Sequence, residues 1–420
     1  MKETENSEAS RTRWMYAEIP ANIAIGPLST LIPLYILKLG GGPLEVAYAI
    51  SIYNAIGVPA SLLWGHYTDS FKRKTIIIFS YLMTTVFILA LMFSASIPEV
   101  IILYAALSFV ITASSTPLNL LVTETSPKES WPKRFGFLQT LAGIGTVIGL
   151  LIGAVVTQVS DLNMFITILS LASLVSLFLS IVLIVEPRKV ISRSDSFLSR
   201  FRGFMHVLFV EPIELAVSPI ASIKNMVRNR RIGRLNTGHL TVFYIGTLIF
   251  YIGTGLFNTE YVAGLKLHGL LSSAIFVIIL VSSSIQIFIF KLSYRYINDT
   301  KKNPIPSYIL PVRALGWVLI GLSFMALTGS MFFYVNLVVN LIAAGIIYAI
   351  FYTGCYTVIF NALKSGRPGF KLGMYSVIIG VGTLTGAFLS GLMASSLGFV
   401  AVFFSAGALI ALSGYVLSRF

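Results

Sequence analysis

Three charged residues of this 420-residue chain stand inside or at the edge of long apolar stretches: Glu18, Glu260 and Arg313. Two isolated carboxylates and a guanidinium can exchange a proton or meet a counter-charge. They form no nucleophile–base set, and interfacial anchoring is the plainer reading of all three. The four histidines, His66, His206, His239 and His268, are scattered, and no pair has metal-ligand spacing. Cys355 is the single cysteine and reads as a packing residue, which excludes an intrachain disulfide. No Gly-x4-Gly-Lys-Ser/Thr phosphate loop occurs. No metal, cofactor or ATPase is therefore expected, and a membrane-embedded enzyme would need a catalytic cluster that the sequence lacks. If the chain is proton-coupled, Glu18 and Glu260 are the candidates to carry the proton.

The elements that position these groups follow from composition. The chain is 56% hydrophobic and 11% charged, far below the ~25% charged residues of soluble domains. It reads as an integral, all-α membrane protein. Apolar stretches of about 20 residues span a bilayer as helices. Twelve are placed at 15–38, 46–66, 75–95, 100–123, 135–157, 163–185, 238–259, 270–290, 308–328, 331–360, 372–393 and 398–418. The polar N-terminus, with Glu3, Glu5 and Glu8, precedes an apolar run too long for a signal-peptide core, so the first span is expected to be retained. With the N-terminus inside, all but Lys38 and Lys266 of the 30 Lys and Arg residues fall on the inner side. The positive-inside rule then places both termini in the cytoplasm. The formal charge of +14 is thus topological, faces anionic inner-leaflet lipid, and argues against a nucleic-acid partner. The expected organisation is a cytoplasmic tail (1–14), a six-helix bundle (15–186), a basic cytoplasmic loop (187–236) and a second six-helix bundle (237–420). The loop carries ten basic and three acidic residues. Its Phe197, Leu198, Phe201, Phe204 and Met205 suit an interfacial helix that tethers the bundles.

The chain also repeats itself. Arg134-Phe135-Gly136, Gly143, Gly145, Thr146 and Gly149 return as Lys371-Leu372-Gly373, Gly380, Gly382, Thr383 and Gly386, each 237 residues later. Internal repeats mark transporter folds in which one bundle rocks against the other. Gly145, Gly149 and Gly153, like Gly382, Gly386 and Ser390, recur every four residues, so each set forms a small-residue face for close helix packing. In a rocking transporter these fifth and eleventh helices are expected near the junction of the halves.

The loop after the second span reads Gly65-His66-Tyr67-Thr68-Asp69-Ser70-Phe71-Lys72-Arg73-Lys74. It resembles the signature Gly-x-x-x-Asp-Arg-x-Gly-Arg-Lys of the major facilitator superfamily, matching at Gly65, Asp69, Arg73 and Lys74 and departing at Ser70 and Lys72. Asp299-Thr300-Lys301-Lys302 is a weaker echo after the eighth span. The resemblance implies two six-helix bundles related by a pseudo-two-fold axis and transport by rocker-switch alternating access. It further implies that Asp69 latches the start of the eleventh helix near Gly373, and that Glu124 and Arg134 join a charge network with Arg73.

By the same resemblance, helices one, four, seven and ten line a central cavity. The polar candidates there are Asn22, Asn119, Tyr251, Asn258, Asn340, Tyr348 and Tyr352, neutral groups suited to a small uncharged, zwitterionic or amphipathic organic solute. Interhelical hydrogen bonding is the competing role for many of them. The expected function is secondary active or facilitative transport of such a solute by a monomer in the cell membrane. Polyspecific efflux of amphipathic compounds is an alternative, although the Gly-Pro of the family's antiporters is absent from the fifth span. A non-transporting receptor or scaffold on the same fold is another.

Overall fold

A computed structural model describes residues 13–126, 130–184, 237–299, 307–363 and 368–420. The basic loop 187–236 and the echo at 300–302 lie outside the described residues. Among those described, all regular structure is helical. Eleven helices are long and apolar enough to cross a membrane. The last of them, Tyr375–Leu417, counts 43 residues and would run about 65 Å at 1.5 Å per residue, twice the ~30 Å hydrocarbon core. It is two helices in sequence, because Gly398 breaks it with φ 81° and ψ 169°, a left-handed conformation that glycine adopts without a Cβ penalty. The described residues thus hold twelve spans, as the apolar pattern predicts.

These are α1 (Arg13–Lys38), α2 (Pro43–Ser70), α3 (Arg73–Leu91), α4 (Ile97–Thr125), α5 (Trp131–Val159), α6 (Leu162–Leu183), α7 (Thr237–Leu267), α8 (Ser272–Asp299), α9 (Leu310–Ala326), α10 (Gly329–Ile359), α11 (368–397) and α12 (399–417). Two of them are irregular. Helix α1 opens as a 3-10 turn, Arg13–Ala17, and is interrupted at Gly26–Pro27 before Leu28–Lys38. Helix α10 contains a π-helical segment, Leu341–Ile347. Such segments are rare and gather at functional sites. Caps mark the starts: Gly42 N–H donates to Glu45 Oε2 at 2.8 Å and Ala95 N–H donates to Glu99 Oε2 at 2.9 Å, each acid satisfying a backbone donor left over at a helix N-terminus.

Two compact units emerge. One holds α1, most of α2, α3 to α6 and the first turns of α8; the other holds α2 up to residue 54, α7, the rest of α8 and α9 to α12. Close packing explains each exchanged segment. In the second unit, Ala47 of α2 packs where a Cβ on Gly391 would stand. In the first, Phe276 of α8 meets Phe165 of α6 at 5.2 Å and lies against Gly153 of α5. The first unit's core gathers Trp14, Met15, Ile77, Tyr81, Leu121 and Leu138.

The duplicated glycines act inside each unit. A Cβ on Gly145 would lie 2.9 Å from Asn22 Cβ and one on Gly149 would lie 2.7 Å from Pro27 Cγ, so α5 rides directly on α1. In the other unit, a Cβ on Gly382 would lie 2.8 Å from Tyr251 Cβ and one on Gly386 would lie 2.7 Å from Leu256 N, so α11 rides on α7 in the same way. The contact is reciprocal. Gly26 of α1 admits Thr146, and Gly255 of α7 admits Thr383. The nearest neighbours of these glycines are therefore the helix pairs α1–α5 and α7–α11.

Candidate functional site

The second unit carries an aromatic column. Tyr348, Tyr352 and Tyr356 lie on α10 at four-residue spacing and are all half-buried, so they share one face of the helix. Neighbouring ring centroids are 5.8 and 4.6 Å apart. Phe290 of α8 joins Tyr352 at 5.4 Å and Tyr375 of α11 joins Tyr356 at 5.4 Å. The π segment ends at Ile347, immediately before the column starts. One extra residue turns the rest of the helix by about 100°, which resets the facing of the tyrosines relative to Asn336 and Asn340. Those two asparagines are buried ties. Asn340 Nδ2 donates to Ser282 Oγ of α8 at 3.1 Å; Asn336 Nδ2 donates to Ser323 Oγ of α9 at 3.1 Å.

Behind the column stands Arg313 of α9, 1% exposed. Its guanidinium carbon lies 4.6 Å from the Trp317 ring, 4.8 Å from Phe250 of α7 and 5.2 Å from Tyr348. Three π-faces supply attraction that a buried cation needs. Both the cage and the burial set it apart from snorkelling arginines. Tyr251 of α7, also buried, has its hydroxyl among those of Tyr348 and Tyr375.

Helix α7 is buried from Tyr261 to Leu265, which carries it past the expected end at 259. Glu260 is consequently inside the helix and fully buried rather than near its end. Ser390 Oγ of α11 donates to Glu260 Oε1 at 3.5 Å, and Glu260 Oε2 has no hydrogen-bond partner. Two residues earlier, Asn258 is the one exposed position between 246 and 266.

In the first unit, Glu18 is 8% exposed. Tyr81 of α3 donates its hydroxyl to Glu18 Oε1, and Asn22 Nδ2 donates to Glu18 Oε2 at 3.0 Å and to the Glu18 carbonyl at 2.9 Å. Ser176 Oγ of α6 donates to the Ala17 carbonyl at 2.8 Å. Asn22 is therefore already engaged by a carboxylate. On α4, Ser115 and Asn119 are exposed one turn apart.

At the signature loop, Gly65 and Asp69 lie in the last turns of α2, and Arg73 opens α3. Arg73 Nη2 and Glu124 Oε1 pair at 3.1 Å with side chains 12% and 7% exposed, joining α3 to the end of α4. Lys74 Nζ donates to the Ile181 carbonyl of α6 at 2.6 Å. Arg134 opens α5, half-buried. The side chains of Asp69 and of the residues around Gly373 lie outside those described, and with them the expected latch. Among the described residues no cluster of His, Cys, Asp and Glu could hold a metal ion.

Sequence reasoning named Tyr348 and Tyr352 of the column, the two acids and the Arg73–Glu124 partners. It missed Tyr81, an ordinary hydroxyl residue whose partner is distant in the chain, the bond of Ser390, read only as a small packing residue, to Glu260, and the caging of Arg313, whose only signal was a charge in an apolar run.

A family model described as Major Facilitator Superfamily matches residues 18–310. No curated protein matches the chain. Among solved structures, the nucleoside transporter NupG is similar at 12% identity, TM-score 0.70, over 99% of this chain and 98% of that one. A peptide transporter POT in complex with sulfate is similar at 12% identity, TM-score 0.71, over 98% and 94%. The xylose transporter XylE from E. coli, in an inward open conformation, is similar at 13% identity, TM-score 0.67, over 98% and 94%. At such identities the likeness is one of fold.

Proposed function

The chain belongs to the major facilitator superfamily, and from that premise we propose that it carries a small organic solute across the cell membrane by rocker-switch alternating access. The observation that carries this reading is the placement of accessible polar and aromatic groups on α4, α7 and α10: Asn119, Asn258, Tyr348 and Tyr352. On helices otherwise apolar, such groups are costly unless they meet water or a solute. The glycine-tight pairs α1–α5 and α7–α11 supply stiff bodies for the rocking motion. Glu18 and Glu260 are the acids placed to couple transport to protons. The chain acts as a carrier and not as an enzyme, functions as a monomer with both termini in the cytoplasm, holds its basic loops against anionic lipid, and takes no nucleic acid. The compounds named for its structural neighbours, nucleosides, peptides and xylose, are hydrogen-bonding organic solutes, and a solute of that kind suits these polar and aromatic groups.

The test is counterflow in proteoliposomes against sugars, amino acids, carboxylates, nucleosides and lipophilic cations. Saturable exchange confined to one class establishes the carrier and its solute. Folded, reconstituted protein that exchanges none of them refutes it. The tyrosine column favours a second reading, export of amphipathic compounds with planar faces. Exchange of several unrelated lipophilic cations, with sugars and amino acids inert, would select it.

A further inference from the structure

Arg313 is held against three π-faces. Its Nε and Nη1 are buried without a hydrogen-bond partner, although a guanidinium offers five donors. The indole N–H of Trp317, whose ring lies against the guanidinium, is likewise unpartnered. The surrounding groups belong to α7, α9, α10 and α11 of one unit. The cluster is rich in donors: two guanidinium nitrogens and an indole N–H, with the phenols of Tyr251 and Tyr375 beside them. The described residues bring it no carboxylate. Cation–π contacts stabilise the charge, yet they leave these hydrogen bonds unmade, and an unmade buried donor is destabilising.

Building on the transport reading above, we propose that the Arg313 cluster is an anion site that receives the carboxylate of the transported solute. Guanidinium geometry matches a carboxylate in a bidentate fork. The Trp317 and Tyr251 donors are placed to serve its remaining lone pairs. Tyr348 belongs both to the half-buried column and to the cage, so a rotation of its ring admits the anion from the column side. The aromatic walls favour an acid whose carboxylate is attached to a planar body. Free inorganic anions share the charge but lack that body.

The experiment is a thermal-shift titration of the purified full chain with benzoate, benzamide, acetate and chloride. A saturable benzoate shift, absent with the isosteric neutral benzamide and stronger than those of acetate and chloride, is expected. Arg313→Gln should weaken the benzoate response by at least about tenfold, and Arg313→Lys should retain part of it. Equal responses to chloride and benzoate would keep an anion site but overturn the solute assignment. No response to any anion, or a benzoate response unchanged in Arg313→Gln, would overturn the site itself. Should Arg313→Gln not fold, Trp317→Phe and Tyr251→Phe keep an aromatic ring at each position and remove one donor each. Each should weaken benzoate by about threefold or more, and unchanged affinity in both counts against the site. Counterflow separates the two readings: neutral solutes that exchange without benzoate binding defeat the anion site alone, whereas benzoate binding without any exchange defeats the transport reading alone.

Discussion

Asn22 and Tyr251 occupy the same place in the two repeats. Each is the residue of its helix whose Cβ meets the third glycine of the duplicated motif, Gly145 at 2.9 Å and Gly382 at 2.8 Å from the position a Cβ would take. The pairing continues in register, Gly26 with Gly255 and Pro27 with Leu256. One repeat sets an amide at this place, where it binds the Glu18 carboxylate. The other sets a phenol there, beside the Arg313 cage. A common scaffold thus sets a buried acid beside this position in one half and a buried guanidinium in the other.

Substituting the motif glycines tests that scaffold. Cβ atoms at Gly145 and Gly386 would fall against the Ile19 and Ile252 carbonyls, backbone atoms that cannot rotate away. Gly145→Ala and Gly386→Ala should each destabilise by about 1–3 kcal/mol, read as a lowered thermal unfolding midpoint. Gly136→Ala, with open space around it, should leave the midpoint unchanged.

Arg73 and Glu124 are both largely shielded from water, so their pairing is screened less than a surface bridge. A double-mutant cycle with Arg73→Met and Glu124→Gln should give a coupling energy of at least about 1 kcal/mol. A coupling near zero would reduce both residues to topological charge.

Asn258 offers an accessibility test. Cys355 is buried, and Cys355→Ser leaves a background without cysteine. In it, Asn258→Cys should react with a membrane-impermeant maleimide and be protected by the solute. Thr259→Cys, at a buried position, should stay unlabelled. Equal labelling of the two would contradict the exposure pattern of α7.

The π segment makes a sharper demand. Deleting Ala344 should restore α-helical register and turn Tyr348, Tyr352 and Tyr356 by about 100° relative to Asn340. Counterflow should fall at least tenfold while the protein still purifies as a folded monomer. Retained transport would show that the facing of the column is immaterial.

Much of this architecture was legible beforehand, for identifiable reasons. The twelve spans follow from hydropathy, and the break at Gly398 from a Ser-Ser-Leu-Gly turn. The glycine repeat showed that α5 and α11 pack closely, yet not against what. Their partners α1 and α7 repeat with a different spacing, and at Asn22 and Tyr251 with different residues. The π segment has no compositional mark; it coincides with Gly345, where a Cβ would press on Ser282 and Ile285 of α8. The cage around Arg313 joins residues near 250, 313 and 348, a set that only three-dimensional packing unites.

The exchanged first turns of α2 impose an order in time. Val46, Ala47 and Ala49 are fully covered in the finished molecule, and Gly391, against which Ala47 rests, emerges 344 residues later. At roughly 5–20 residues per second, the ribosome takes on the order of 20–70 s to deliver that partner. Throughout that interval the nascent chain must shelter this apolar face in lipid or against an insertion factor, so the contact closes only once helices made at opposite ends of synthesis are both present.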